Sequence, residues 1–519
     1  MPGLGKFSST DYRLMLPMLE LTIFALGILL IDLMIPRAWK WLNALGAFAG
    51  VVFSAICVWQ IQSKLPRGMI GFYNTLLVDR FAIYFWYLFL ASAAITILVS
   101  VRYLEIENEH HGEYYSLLLM SVVGMMCMAA GIDLVLLFIG LELMAISIYV
   151  LVGFLRRDRR SNEAALKYLL LGAFSSGIFA YGLSLLYGLS GSTNLAAIGA
   201  TVNAIVSRDP HNPILIIAML TTMIGLLFKI AAVPFHQWAP DAYEGAPTSI
   251  TGFMSVAVKA AAWALLLRIL AFAIVGGGRI FPFGLYPMRA IYTPIIVFVA
   301  IATMTGGNLA ALTQTNTKRL LAYSSIAHVG YMLLAFVAMG SSPFGSPAFN
   351  DGFKGILIYL MVYTFMNLGV FAVITSLRHR NIIGDELDDM AGLYSRAPFE
   401  AVLMLLFLLS LAGIPPAAGF LGKYYIFLSL IESQHYWLAS AAVLYALFGL
   451  YYYLRMANVM MMRAPAEPGR LPVSIGMRFA LGVTGLLTLV IGVFPEPFIN
   501  SVNWSLGLAQ VQHVAGMVR

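Results

Sequence analysis

The sequence predicts an all-α integral membrane protein of about 14 transmembrane helices, and three observations carry that reading. Of its 519 residues, 61% are hydrophobic and 11% charged, whereas soluble domains carry about 25% charged residues. Apolar runs of about 20 residues, the length a bilayer demands, recur from end to end with no soluble domain between them. Lysines stand inside some of those runs, two of them close to prolines, a combination that lipid does not tolerate and that has to face protein or water. The net charge of +7 is distributed over short loops and not on one folded face, which excludes nucleic-acid binding.

In chain order the spans fall at roughly 14–35, 42–62, 81–101, 114–130, 133–154, 163–189, 213–235, 251–275, 292–313, 319–340, 355–377, 400–431, 436–457 and 476–500. The start of the chain lacks the pattern of a cleaved secretory signal, so the first run reads as a retained helix. Cys57 and Cys127 lie in apolar runs, where cysteine acts as a small hydrophobe, and predict neither a disulfide nor a metal site. His110 and His111, in the charged loop EIENEHHGEYY, read as a solvated face.

Loop charges set the orientation. An even number of spans places both termini on one side. The opposite loops hold about 16 Lys and Arg, among them Arg156, Arg157, Arg159, Arg160, Lys318, Arg319, Arg378 and Arg380, against about 10 on the terminal side. Both termini are therefore expected on the non-cytoplasmic face.

The run GLLFKIAAVPFHQWAPDAYEGAPTS places Lys229 five residues before Pro234, whose missing donor frees the Ile230 carbonyl. The run LSLAGIPPAAGFLGKYYIF places Lys423 seven residues after Pro416. The two broken spans lie about five spans apart, and an odd offset inverts one unit relative to the other across the membrane. This predicts two inverted five-helix repeats, each with a broken helix, the arrangement that marks transport pathways in many carriers.

Four lysines, Lys167, Lys229, Lys259 and Lys423, read as lying within spans. At about 2.5–3.5 kcal/mol each, they come to on the order of 10 kcal/mol that a purely structural core has no reason to carry. Glu142 is the matching acid in the fifth span, and a lysine is its expected partner. A buried lysine loses affinity for its proton and regains it beside a carboxylate, so making or breaking a Glu–Lys pair switches the charge. Ser324, His328 and Tyr331 share one face of the tenth span, and Tyr359, Tyr363 and Asn367 one face of the eleventh.

Each reading has a plainer rival. Lys167 can snorkel to the interface, and the other lysines and Glu142 can form structural ion pairs. His328 can be a packing histidine, and the hydroxyl stripes can be helix-packing glue. Asp241 and Glu244 can cap or pair beside the broken seventh helix.

On FIGLELMAISIYVL, LFKIAAVPFHQWAPDAYEGAPTSITGFMSVAVKAA, RLLAYSSIAHVGYM and GIPPAAGFLGKYYIF, the chain resembles the antiporter-like membrane subunits of proton-pumping NADH:quinone oxidoreductase, respiratory complex I, and most of all subunit N. The resemblance covers nearly the whole chain. It implies fourteen helices in units at 1–113, 114–275, 276–457 and 458–519. It also implies an acid at Glu142 paired with Lys229, a relay at Lys259, a central His328 and an exit at Lys423, with Lys167 as a further candidate. The paralogous subunit M has a glutamate where Lys423 stands, and subunit L a long C-terminal extension. The animal mitochondrial counterpart lacks the first three helices, so a bacterial or plastid-type form fits better.

The resemblance further implies a non-redox, proton-translocating subunit of an inner (cytoplasmic) membrane complex. Flavin, iron–sulfur clusters and quinone would bind other subunits, leaving none in this chain. Its partners would be paralogous membrane subunits, lipids and protons. The alternatives are a subunit of a multi-subunit cation/proton antiporter, a pump subunit of a membrane-bound hydrogenase-type complex, and a scaffold that no longer pumps.

Overall fold

The computed structural model describes residues 8–64, 68–270, 289–343, 345–378, 384–465 and 473–506. Among the described residues, thirteen helices are long and apolar enough to cross a membrane. The twelfth crossing is split into Pro398–Ala412 and Gly419–Glu432; counting that pair as one crossing makes fourteen, as expected. Arg380, both chain ends and the expected boundary near 276 lie outside the described residues.

Helix starts follow local chemistry. Asp79, Asp133, Asn212, Asn316 and Ser346 each cap a span by accepting from a first-turn backbone amide, which satisfies donors that lipid would leave orphaned. The fourteenth span ends at Val493, and Pro495 then opens a separate short helix, Glu496–Ser505. The expected single run to 500 is thus divided, because a proline cannot continue the ladder. The loop after the sixth span holds an unexpected amphipathic helix, Leu195–Arg208, with Ile198, Val202 and Val206 buried on one face.

The spans bearing Lys259, His328 and the Tyr359–Asn367 stripe lie deep in the bundle. The eighth (Thr248–Ile269), tenth (Thr317–Ser341) and eleventh (Pro347–Leu377) are almost wholly buried, whereas the first, sixth and thirteenth carry exposed apolar faces suited to lipid or neighbouring subunits.

Packing devices recur about five spans apart. Where the fourth and fifth spans meet, Gly124 and Gly140 each face the partner helix's backbone, and Gly307 and Gly330 do the same between the ninth and tenth. Gly182 and Gly225 join the sixth to the seventh as Gly355 and Gly422 join the eleventh to the twelfth. Without a Cβ, these backbones approach closely, the usual basis of helix association in lipid. Asp133 at the head of the fifth span bridges to Asn194, and Asn316 at the head of the tenth bridges to Glu386.

Candidate functional site

The seventh span, Pro213–Ile230, ends earlier than its proline requires. Ala231 adopts a left-handed conformation (φ 61°). The amides of Ala231 and Ala232 then donate to Phe228 O (3.0 Å) and Leu227 O (2.9 Å), a helix-ending pattern usually built on glycine. The break is therefore set by Ala231, three residues before Pro234. The Trp238 indole donates to Phe228 O (2.9 Å), and Val233 N donates to Thr303 Oγ1 (2.9 Å).

Lys229 occupies the last turn before this break and is 2% exposed. Its ammonium donates to the Tyr149 hydroxyl (3.3 Å) and sits 5.8 Å and 5.9 Å from the ring centres of Tyr149 and Phe228. The expected direct Glu142–Lys229 pair is not formed. Among the described residues Glu142 makes no ion pair, and its Oε1 is buried without a hydrogen-bond partner. The Lys229 ammonium instead meets the hydroxyl of Tyr149, on the same helix as Glu142.

Lys259 follows directly on a π-helical turn, Met254–Val258, a device common at functional sites. It is buried, donates to Ser325 Oγ, and lies 5.7 Å from the Tyr243 ring centre. Asn367 donates to Ser255 within the π-helical turn (2.5 Å). His328 is held between two tyrosines, with Nδ1 at the Tyr359 hydroxyl and Nε2 at the Tyr453 hydroxyl (2.9 Å), and Tyr453 also meets Ser324. The stripes expected on the tenth and eleventh spans are both buried.

At the twelfth-span break, Gly413 (φ 86°) ends the first half-helix. Lys423, in the second half, donates back to the exposed end of the first, to Leu411 O (3.1 Å) and Ala412 O (2.8 Å), with the Tyr331 ring centre 5.2 Å away. Helix C-termini carry partial negative charge, so this is a seat for a cation. Val233–Pro234 and Pro415–Pro416 are both cis.

Lys229, Lys259, His328 and Lys423 thus lie buried inside the bundle, the first three each meeting a hydroxyl and Lys423 meeting two backbone carbonyls. A family model described as NADH:quinone oxidoreductase/Mrp antiporter, TM matches residues 131–449. NADH-quinone oxidoreductase subunit N 1 of Koribacter versatilis is 61% identical over 99% of this chain and 98% of its own length. The chain belongs to the NADH-quinone oxidoreductase subunit N family. A subunit N 2 of Solibacter usitatus is 51% identical over 96% of this chain and 98% of its own length. A chain of respiratory complex I from Thermus thermophilus, 29% identical, aligns over 94% of this chain and 99% of its own with a TM-score of 0.76. A chain of the Mrp complex from Dietzia has the same TM-score at 19% identity and shares the fold. The protein is therefore an antiporter-like membrane subunit of the NADH-quinone oxidoreductase complex.

Lys167 stands apart from the buried lysines of this subunit. Its side chain is 46% exposed and pairs with Glu163 (2.7 Å) and Asp241 (3.0 Å). Apolar neighbours in sequence hid the fact that it faces outward. Arg319 pairs with Asp241 (2.7 Å) and Glu244 (3.0 Å), so both acids anchor the short helix Trp238–Gly245 that follows the first break. Burial pushes the Asp241 carboxyl up, but hydrogen bonds from Lys167 and Arg319 outweigh it and hold the group below its usual 3.8.

Sequence reasoning passed over Arg268. It is wholly buried in the eighth span, forks onto both oxygens of Asp79 (2.7 and 2.8 Å), and donates to Ala129 O. The signal was an arginine near the end of an apolar run, which reads equally well as a loop charge. His110 meets the Tyr115 hydroxyl (3.0 Å) and His111 meets Glu109 (3.3 Å). Among the described residues no group of three or more His, Cys, Asp or Glu is placed to hold a metal ion.

Proposed function

We propose that this subunit carries one proton path of the NADH-quinone oxidoreductase complex. Protons load at Glu142 and Lys229, pass Lys259 and His328, and leave at Lys423, while electron transfer to quinone in other subunits biases the loading step. The observation that carries this reading is the set of three buried lysines with no carboxylate within ion-pair distance among the described residues. Structural ion pairs would have been neutralised in place, whereas these cations meet hydroxyls, carbonyls and rings. Moving one charge against a membrane potential takes about 2.3 kcal/mol per 100 mV, which is the size of a change in one such buried contact.

Two inverted five-helix units at 114–275 and 276–457, with flanking segments at 1–113 and 458–519, form part of this reading, supported by the glycine contacts that recur about five spans apart. The subunit sits in the cytoplasmic membrane with both termini on the outer face, against paralogous subunits and lipid, while flavin, iron–sulfur clusters and quinone bind elsewhere in the complex. Lys167 and its ion network hold the short helix near the path.

The rival is an antiporter driven by ion gradients alone. Purifying the complex from its native membrane separates the two. Flavin and iron–sulfur signals co-purifying with this chain are expected, and an assembly without them that still exchanges cations for protons would overturn the reading.

A further inference from the structure

The charged loop EIENEHHGEYY, which reads in sequence as a solvated face, forms one wall of a cleft of about 1100 Å³. The cleft lies at the Met34 end of the first span, where the second span begins and the third ends. We propose that this cleft binds the headgroup of a phospholipid that carries a primary ammonium beside its phosphate, with one acyl chain lying along the outer face of the first span.

The walls are fixed by paired charges. Asp32 pairs with Lys40 (2.6 Å) and accepts from Asn43 (2.5 Å), which ties the first span to the second. A Cβ on Gly112, the first residue of the fourth span, would fall 2.6 Å from Asp32 Cβ, so this corner closes only around a glycine. Glu107 is held by Arg378 (2.5 Å) and Glu105 by Arg102 (3.0 Å). These three acids of the lining each have a permanent cation.

Three charges of the same lining are left over. Arg37, in the turn between the first two spans, and Arg157, in the loop before the sixth, are exposed and make no ion pair or side-chain hydrogen bond among the described residues. Glu109 meets only His111 (3.3 Å), which carries a charge only when protonated. Two free guanidinium forks suit the oxygens of a phosphate. A carboxylate without a permanent cation suits an ammonium that can donate to it. A headgroup with both charges answers both, whereas a simple anion would meet Glu109 uncompensated.

The membrane side of the cleft supplies the rest of the lipid. Ile23, Leu26, Leu30 and Leu33 are all exposed, and their spacing of three and four residues places them on one face of the first span. That stripe runs about 15 Å along the helix axis and ends at Leu33, which is 85% exposed and itself lines the cleft. Trp41 lines the cleft and Trp39 is exposed in the adjoining turn, the residue type that gathers at headgroup level. The polar cleft and the apolar track are therefore continuous, as a lipid needs and a soluble anion does not.

The test uses the intact purified complex and photoactivatable phospholipid probes with ethanolamine, choline or glycerol headgroups, with labelled sites mapped by peptide sequencing. The ethanolamine probe is expected to label residues 23–41 in preference to the other two. Arg37→Gln with Arg157→Gln should cut that labelling about tenfold, the scale of losing charge-assisted hydrogen bonds. Glu109→Gln should keep the labelling and erase the preference for ethanolamine. Native gels confirm assembly of each variant, since all three substitutions lie in loops. Equal labelling by the three headgroups in the unmodified complex, or undiminished labelling of the double variant, would overturn the proposal. Displacement of the probe by millimolar inorganic phosphate would make the cleft a site for soluble anions, and a cleft that cross-links only to a neighbouring subunit would make it a protein interface; either also overturns it.

Discussion

The two broken spans share a sequence signature and treat their lysines in opposite ways. At the seventh-span break the carbonyl of Phe228 accepts from both the Ala231 amide and Trp238, and Lys229 is left with one tyrosine hydroxyl. At the twelfth-span break the exposed carbonyls of Leu411 and Ala412 are taken by Lys423 itself. The second lysine is seated at the negative end of a helix dipole, where a cation is held. The first makes a single hydrogen bond, to a neutral hydroxyl. A lysine beside a proline thus marks a break, but not whether the ammonium meets backbone carbonyls or another side chain.

The largest expected effect tests the seat. Lys423→Glu replaces a donor with a carboxylate facing two carbonyl oxygens, which should cost about 3–5 kcal/mol, as uncompensated buried charges do. Coupled turnover by the purified complex should fall more than tenfold, and normal turnover by an assembled complex would mean the carbonyls are not the seat.

The next effect distinguishes the two helix ends. Gly413→Ala forces a left-handed alanine and brings a Cβ within 2.8 Å of Lys423 Cδ; it should destabilise by about 2 kcal/mol. Ala231→Gly relieves the same conformation at the other break and should stabilise by about 1 kcal/mol. Thermal unfolding of the solubilised complex should show opposite signs, and equal signs would dissolve the contrast.

The amount legible in the sequence follows from what each residue type signals alone. A lysine in an apolar run is conspicuous at any depth, so Lys229, Lys259 and Lys423 were found from composition, and apolar run length located the spans. Tyr149, Trp238 and Tyr453 escaped because an aromatic in a span looks like packing until its hydroxyl or indole is seen to have a partner. Ala231 escaped because nothing in an alanine announces a left-handed backbone. Lys167 was misplaced because sequence depth says how far along a helix a residue lies, not which way it faces. The Glu142–Lys229 pair was read as direct because sequence cannot say that the ammonium meets a tyrosine hydroxyl instead of the carboxylate.

A smaller effect concerns the segment after the first break. Asp241 is held below its usual 3.8, so it stabilises the fold above about pH 4, and that contribution is lost as pH falls through its lowered value. Asp241→Asn should flatten the acid limb of stability in that window, measured by unfolding of the solubilised complex between pH 3 and 6. An unchanged limb would remove the ion network from the account.

The most direct measurement is proton translocation per NADH oxidised by the intact complex carrying Lys229→Ala, in sealed vesicles. The account predicts an assembled complex whose translocation and coupled NADH:quinone turnover are both cut severely. Wild-type translocation by that assembled complex would contradict it.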